Sequence, residues 1–236
     1  MKIGYLNTNN KGGTPFVSFI ENLGKLGVSP DILILSEIKY DNKREQNEFI
    51  EIGKEKFIIA MVSVYKSEKS EMSSEKILVL INLKSLYKII FYNENDLNYK
   101  RRFAIEKNNK KIIFECIHWP SFFEHNPSSW ISSYNHHCKE ESSNSLADIL
   151  IGDFNVNISE RESNSLEGEW AEKLIISFED RDRKIYGQTK NKDFYTFKNK
   201  EGNKKKNLDF VFSNIPCSIK YSNQLISDHK YMEIEI

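Results

Sequence analysis

The residues best suited to chemistry stand at the end of a short apolar run, Asp148–Asn157. Within this run Gly152 is followed by Asp153 and, two residues later, by Asn155. Side chains two residues apart in a strand point to the same face of a sheet, so we expect Asp153 and Asn155 to project together beyond a buried strand. A carboxylate accepts protons and binds cations, and an amide donates hydrogen bonds to an oxyanion. The pair therefore suits the attack of water on a phosphate.

Further polar residues stand at or near the ends of other predicted strands. In chain order they are Asn7, Asn9, Glu37, His118, Asp209, Asp228 and His229. Nearly all of them have an ordinary structural explanation when taken alone, as a turn former, a solvent-exposed acid or a packed histidine. Asp209 is harder to explain in this way because apolar residues surround it. It either faces solvent on an edge strand or is a buried carboxylate that needs a partner.

Hydrophobic patterns predict the elements that must position these residues. Besides the run before Asp153, the predicted strands are Lys2–Asn7, Asp31–Leu35, Phe57–Tyr65, Lys76–Leu83, Tyr87–Tyr92, Arg102–Glu106, Lys111–Ile117, Phe194–Phe197, Leu208–Phe212 and Tyr231–Ile236. The predicted helices are Pro15–Leu26, Lys43–Ile52, Trp130–Lys139 and Leu166–Phe178. The strands at Phe194 and Leu208 are expected to pair around a basic loop, Lys198–Lys206. Strands joined by helices in some places and hairpins in others favour an α/β (α+β) fold with mixed sheets.

Bulk properties narrow the class of protein. The chain has 236 residues and no stretch with the composition of a linker, so we predict a single domain over residues 1–236. Lysine plus arginine and aspartate plus glutamate number 34 each, and a net charge of zero argues against nucleic-acid binding through overall positive charge. Three cysteines predict neither a disulfide framework nor a zinc site. No signal peptide or apolar run of membrane length is visible, so a cytoplasmic protein is expected, with no membrane partner.

Six short motifs, in this order, resemble those of the endonuclease/exonuclease/phosphatase superfamily, the DNase I-like proteins. They are Leu6-Asn7-Thr8-Asn9, Leu35-Ser36-Glu37-Ile38-Lys39, Cys116-Ile117-His118-Trp119-Pro120-Ser121, Ile151-Gly152-Asp153-Phe154-Asn155, Asn207-Leu208-Asp209-Phe210-Val211 and Ser227-Asp228-His229. The resemblance implies a four-layer sandwich of two mixed β-sheets flanked by helices, with the active site at one end of both sheets. Two departures are Leu6, where an aromatic residue usually stands, and a chain that is short for the superfamily.

The resemblance also implies a metal site and a set of acid and base groups. Glu37 would be the main metal ligand, with Asp228, Asn7 and Asn9 close by, and hard oxygen ligands suit Mg²⁺ (or Mn²⁺). Asp153 would orient or deprotonate the attacking water.

The remaining implied roles concern the phosphate. Asn155 would hold the water or a phosphate oxygen. His229 would contact the phosphate, with Asp209 fixing its tautomer. His118 would contact the phosphate from the opposite side, and Glu75 matches the place of the glutamate that backs this histidine in DNase-like members.

The basic loop Lys198–Lys206 is a candidate substrate-binding element. Lys204, Lys205 and Lys206 with nearby Tyr195 would grip a nucleic-acid backbone, and the alternative is a solvated hairpin tip. Trp119 and Trp130 similarly line the cleft for stacking or pack the loop that carries them.

Two motif positions bear on the substrate. The cysteine-aspartate-arginine motif of sugar phosphatases is replaced by Leu208-Asp209-Phe210, and His118 stands where apurinic-site nucleases have a tyrosine. Secreted sphingomyelinases share the histidine but need a signal peptide. The expected function is a metal-dependent nuclease that acts on DNA. Alternatives are an RNA or small-molecule phosphodiesterase or phosphatase, which zero net charge favours, and a non-catalytic binding module. A regulatory protein partner that restrains the nuclease is a further hypothesis.

Overall fold

The computed structural model describes residues 1–9, 29–38, 57–63, 76–85, 87–91, 100–119, 127–135, 147–180, 182–187, 194–225 and 227–236, with Asn47 and Glu51. The strands in these ranges are β1 Lys2–Asn7, β2 Ile32–Ile38, β3 Phe57–Ser63, β4 Lys76–Asn82, β5 Lys88–Phe91, β6 Lys100–Lys107, β7 Lys110–His118, β8 Ile149–Asp153, β9 Lys184–Tyr186, β10 Phe197–Lys198, β11 Lys205–Lys206, β12 Asp209–Ser213, β13 Ser218–Leu225 and β14 Lys230–Glu235. The helical segments are α1 Pro127–Asn135, a 3-10 turn Ile158–Glu160 and α2 Leu166–Glu179.

The long strands form two six-stranded mixed sheets. The strand order is β13-β14-β1-β2-β4-β3 in the first sheet and β5-β6-β7-β8-β12-β9 in the second, and β10 and β11 form a separate hairpin. Each large sheet has one parallel pair at its centre, β1 with β2 and β7 with β8, and its other pairs are antiparallel. The carboxyl ends of the two strands in each parallel pair therefore meet at one edge of their sheet.

The main core lies between the two sheets. Ile3 and Ile34 of the first sheet and Phe114 and Ile151 of the second belong to one buried cluster. Residues that alternate with these along the second sheet, such as Leu150 and Phe212, pack instead against α2 in a second cluster. Strands buried on both faces read as continuous apolar runs, which is why the sequence pattern revealed them. The facing mixed sheets confirm the predicted α/β sandwich.

Most predicted elements are confirmed to within a few residues, but one pairing was wrong. The strands predicted at Phe194–Phe197 and Leu208–Phe212 do not pair with each other: Phe197 pairs with Lys206, and β12 lies between β8 and β9. β12 is buried on both faces, so only a central position in the sheet satisfies its side chains.

Some predicted elements cannot be compared. The predicted helix Pro15–Leu26 and most of Lys43–Ile52 lie outside the described residues. No helix in the described part of the chain is both long and apolar enough to cross a membrane.

Candidate active site

Glu37 lies within a bulged strand rather than beyond its end. We predicted that the strand stops at Leu35, but β2 continues to Ile38 and its pairing with β4 shifts between these two residues. The extra residue of a bulge re-aims a side chain, and Glu37 has a φ of 54°, in the left-handed region. This backbone turns the Glu37 carboxylate toward the end of β1.

Asn7, the last residue of β1, connects the two sheets. Its Nδ2 donates to Glu37 Oε1 at 2.6 Å and to Asp153 Oδ2 at 2.9 Å, and its Oδ1 accepts the Asn9 amide at 2.9 Å. Both N–H groups of the Asn7 amide are therefore used on carboxylates. The side chain predicted as a metal neighbour acts here as a bridge that fixes the spacing of two acids.

On the second sheet, Asp153 and His118 end a parallel pair in register with each other. Gly152 before Asp153 has a φ of 153°, and a Cβ there would lie 1.9 Å from the Ile117 carbonyl oxygen. Only glycine allows β7 and β8 to approach so closely at this point. The glycine of the motif thus serves the strand pairing that places Asp153.

Asn155 reaches the site by a turn, and not by strand alternation as predicted. β8 ends at Asp153, and Asn155 has a φ of 52°. Its backbone amide donates to Asp153 Oδ1 at 2.8 Å, and its Nδ2 donates to the Trp119 carbonyl at 2.7 Å. Asparagine tolerates the left-handed conformation, so this turn suits the residue.

His229 and Asp209 form a buried pair. His229 Nδ1 lies 2.7 Å from Asp209 Oδ2, while Nε2 faces Asp153 Oδ2 at 3.9 Å and Asp228 Oδ1 at 4.0 Å. Asp209 is fully buried, which decides between the two alternatives left open by the sequence. The Asp209 carboxylate accepts a hydrogen bond from Nδ1, which leaves Nε2 to face Asp153 and Asp228.

Thr196 supports this pair and was not singled out from the sequence. Its hydroxyl oxygen accepts the amide hydrogens of Leu208 at 2.9 Å and Asp209 at 3.0 Å, and its carbonyl accepts the Lys230 amide at 2.7 Å. One buried threonine thereby fixes the backbone on both sides of the pair. A lone threonine between two aromatic residues, Tyr195 and Phe197, carries no sequence signal of such a role.

Asp228 faces the same space from the loop before β14. Asn9 Nδ2 donates to Asp228 Oδ2, while Oδ1 is buried and has no hydrogen-bond partner. A carboxylate oxygen buried without a donor is unfavourable unless a ligand or ion completes it.

His118 contacts Glu37 across the site. Its Nε2 lies 2.7 Å from Glu37 Oε1. Glu75, which the resemblance assigns to the support of His118, lies outside the described residues. The histidine and the expected metal ligand are therefore direct neighbours.

The pKa values of the acids differ because their neighbours differ. Burial alone would raise the pKa of Glu37, but the charge and hydrogen bond of His118, with His229 and Asn7, lower it to about 2. Burial and the charge of Asp209 raise the pKa of Asp153 to about 7, against the opposing effect of His229. Glu37 is therefore ionised at neutral pH, whereas Asp153 titrates near neutrality.

The pKa of His229 moves in the opposite direction to that expected from burial. Burial lowers it, but the charge and hydrogen bond of Asp209, with Asp153 and Asp228, raise it to about 9. His229 is therefore a cation at neutral pH and can donate from Nε2.

The donor set fits a hard divalent cation. Ligand atoms of Glu37, His118 and Asp153 lie within 4.8 Å of one another, as do those of Asp153, Asp209 and His229. Across the two groups three carboxylates stand beside two imidazoles, and hard carboxylate oxygens suit Mg²⁺ or Mn²⁺. The buried Asp228 Oδ1 accepts no hydrogen bond, so this oxygen can serve as a ligand to a cation.

The basic hairpin β10–β11 adjoins the His229 pair. Phe197 forms an isolated β-bridge with His229, and the Lys198 amide donates to the Asp228 carbonyl at 2.8 Å. Lys205 Nζ lies 5.0 Å from the centre of the Tyr195 ring. Lys230 Nζ lies 4.5 Å from the same ring. The hairpin that carries the predicted substrate-binding lysines therefore lies next to the His229–Asp209 pair.

The lysines of the hairpin are not equivalent. Lys204 and Lys205 are exposed, whereas Lys206 Nζ lies 3.1 Å from Glu167 Oε1 of α2. Glu167 Oε1 also accepts the Asn157 amide at 2.9 Å, so Lys206 helps to anchor the hairpin to the loop after Asp153.

Trp119 and Trp130 belong to the second core cluster, so neither alternative describes them fully: they do not line the cleft, and they pack the core and not only their loop. They are 1% and 0% exposed and meet edge to face with ring centres 5.2 Å apart. Trp130 Nε1 donates to the Phe154 carbonyl at 2.7 Å, which supports the backbone between Asp153 and Asn155.

Comparisons with known proteins agree with this geometry at the level of the fold. No protein-family model and no curated protein matches the sequence. Among solved structures, the endonuclease domain of TRAS1, a telomere-specific non-LTR retrotransposon, matches with 13% identity, 99% coverage of this chain, 96% of that chain and a TM-score of 0.66.

Two further solved structures match over nearly their whole length. An endonuclease/exonuclease/phosphatase family protein from Leptotrichia buccalis is 16% identical, with 100% and 99% of the two chains covered and a TM-score of 0.61. A beta toxin variant from Staphylococcus aureus with bound magnesium ions is 14% identical, with 99% and 98% covered and a TM-score of 0.62. The chain therefore has the endonuclease/exonuclease/phosphatase (DNase I-like) fold.

Proposed function

We propose that this chain is a divalent-metal-dependent phosphodiesterase, and that its substrate is nucleic acid, with DNA preferred. The observation that carries the proposal is the bridge made by Asn7. One amide holds Glu37 of the first sheet 2.6 Å away and Asp153 of the second 2.9 Å away, although residues 7 and 153 are far apart in the chain. One amide thus holds two carboxylates whose oxygens lie within 4.8 Å of each other. Two like charges so close together do not help the fold, but they suit a metal-dependent hydrolytic site.

Glu37 and Asp228 would hold the metal, with Asn7 fixing the Glu37 carboxylate and Asn9 fixing the Asp228 carboxylate close by. A divalent cation bound there would neutralise charge on a phosphodiester and on its leaving oxygen. The low pKa of Glu37 keeps its carboxylate ionised throughout the neutral range. Protons would therefore compete with the metal for this ligand only in strongly acidic solution.

Asp153 would position and deprotonate the attacking water. A general base works best when its pKa is near the working pH, and burial and Asp209 raise the pKa of Asp153 to about 7. The Asn7 amide holds Asp153 Oδ2 and the Asn155 backbone amide holds Oδ1, so the carboxylate cannot rotate away from the water.

Cationic and amide donors would stabilise the phosphate. His229 presents Nε2 while Asp209 holds Nδ1, and His118 approaches from the Glu37 side, backed by Glu75 in our proposal. One N–H group of the Asn155 amide is bonded to Trp119, and we assign the other to the water or a phosphate oxygen. Hydrogen-bond donors that are already in place before the reaction stabilise the charge that develops on the phosphate, because the site does not have to rearrange.

The hairpin favours nucleic acid over a small diester as substrate. Two exposed lysines, Lys204 and Lys205, stand beside the half-buried Tyr195 and provide a cationic surface for a nucleic-acid backbone. Lys206 would act mainly by anchoring this surface through Glu167. The endonuclease domain of TRAS1, which has this fold, supports a nuclease.

Zero net charge favours the alternative of an RNA or small-molecule phosphodiesterase on the same site. A panel of supercoiled plasmid, single-stranded DNA, RNA and a chromogenic phosphodiester, each with Mg²⁺, Mn²⁺ or chelator, separates these substrates. We expect metal-dependent cleavage, fastest on DNA. Turnover of the chromogenic diester alone would assign the site to small substrates. Binding of DNA without turnover of anything would indicate a non-catalytic module.

A further inference from the structure

Thr8 follows Asn7 and contacts the bulge that carries Glu37. The residue is fully buried. Its amide donates to the Ser36 carbonyl at 3.0 Å, and its Oγ1 donates to the Glu37 carbonyl at 2.9 Å. Thr8 therefore holds both backbone carbonyls of the bulge with two different groups.

The bulge needs this support for a geometric reason. Leu35 pairs with Leu78 and Ile38 with Lys76, so Ser36 and Glu37 together face one residue of β4. A bulge disrupts the local ladder, and a non-glycine residue in the left-handed region is strained unless its surroundings fix it. Glu37 has a φ of 54°, and the Thr8 hydroxyl supplies a donor for its carbonyl.

We propose that Thr8 is a positioning residue for the metal site. Its hydroxyl fixes the backbone of Glu37, so the carboxylate is held where the Asn7 amide reaches it. The inference rests on the proposed role of Glu37 as the metal ligand. A hydroxyl is required and the methyl group is not, so serine should replace Thr8 and valine, which has the same shape, should not.

Calorimetric titration of the metal-free protein with Mn²⁺ and with Mg²⁺ tests this inference without reference to activity. We expect Thr8→Val to raise the metal Kd about 10–100-fold, the range found when residues that support metal ligands are changed. Thr8→Ser should restore most of the affinity. Thr8→Ala deletes the same hydroxyl with a smaller side chain, and it replaces Thr8→Val if valine prevents folding.

Ser213→Ala is a matched control. Ser213 is buried at the far end of β12 from Asp209, and its hydroxyl donates to the Ile215 carbonyl at 2.8 Å. This variant should lower the unfolding temperature and leave the metal Kd unchanged.

Three results would overturn the role of Thr8: wild-type affinity in the hydroxyl-deleted variants, equal weakening by serine and valine, or equal weakening by Ser213→Ala. The titration of the wild-type protein comes first and separates the two proposals. If it shows no divalent-ion binding, the proposed function fails together with the role of Thr8. If the wild type binds and Thr8→Val binds equally well, only the role of Thr8 fails.

Discussion

Glu37 and Asp153 lie close together in the site, yet their pKa values are shifted in opposite directions. Glu37 lies 2.7 Å from His118 and 2.6 Å from Asn7, and these contacts lower its pKa. Asp153 is buried and lies near Asp209 and Glu37, which raises its pKa. Separation of the pKa values of neighbouring acids is a common way to divide roles between them. Glu37 is thereby suited to binding a cation and Asp153 to accepting a proton.

The raised pKa of His229 predicts how the stability of the metal-free protein varies with pH. Asp209 and the other acids raise this pKa from 6.5 to about 9, so the folded state binds the proton more tightly than the unfolded state. The stabilisation is complete below pH 6.5 and is lost as pH rises through 9. We expect the pair to contribute on the order of 3 kcal/mol to this fall in unfolding free energy.

Denaturant unfolding in chelator at several pH values between 6 and 10 measures this effect. In His229→Gln the unfolding free energy should fall less between pH 6 and pH 10, because the variant lacks the contribution of the His229–Asp209 pair. An unchanged pH dependence in the variant would show that the charge of His229 is not stabilised by Asp209.

At the scale of elements, the sequence predicted the strands that are buried on both faces and the residues at their ends. It did not predict β9, which has three residues, or β13, which reads as polar along much of its length. It also missed the bulge at Glu37 and the turn at Asn155. Both depend on a left-handed backbone at a non-glycine residue, which periodicity does not encode.

The close approach of β7 and β8 predicts a large effect of Gly152→Ala. The new Cβ would lie 1.9 Å from the Ile117 carbonyl oxygen, in a backbone conformation that favours glycine. We expect a loss on the order of 3 kcal/mol in unfolding free energy, measured with denaturant. Gly202→Ala, in the hairpin turn at a φ of 75°, is the milder control and should cost about 1 kcal/mol. Equal effects of the two substitutions would contradict the packing reason.

Substitutions in the hairpin β10–β11 should weaken the binding of polynucleotides and leave the turnover of small substrates unchanged. Lys204→Gln and Lys205→Gln should each weaken DNA binding and reduce the slope of log affinity against log salt by about 1. Hydrolysis of a chromogenic phosphodiester should not change. Lys184→Gln, an exposed lysine at the start of β9, is the control. If its salt slope falls as much as that of the hairpin variants, DNA binding follows total charge and not the hairpin.

At the scale of the whole molecule, the site exists only when both sheets are in place. Asn7 and Glu37 come from the first sheet, and Asp153, Asp209 and His118 come from the second. The order of the motifs indicated this convergence through a family resemblance, but no local pattern could show that Asn7 contacts Asp153. A single domain, a cytoplasmic location and a regulatory partner remain predictions.

Because the metal would bind residues brought together by folding, it should stabilise the folded protein. A cation at 100 times its Kd adds about 2.7 kcal/mol to the unfolding free energy. Thermal unfolding with Mg²⁺ or Mn²⁺ should show this rise for the wild type and for Glu179→Gln, an exposed control on α2. Glu37→Gln should lose most of the rise. A full metal-induced rise in Glu37→Gln would exclude Glu37 as the main ligand.

The most direct test of the central claim is the rate of DNA cleavage by Asp153→Asn and wild-type protein under identical conditions with Mg²⁺. The wild type should cleave DNA with Mg²⁺ and stop in chelator, and Asp153→Asn should be slower by about 10²–10⁴-fold, the usual contribution of a proton-transfer group. Asp180→Asn, an exposed residue at the end of α2, should retain the wild-type rate. Undiminished cleavage by Asp153→Asn, or by the wild type in chelator, would contradict a metal-dependent site built around Asp153.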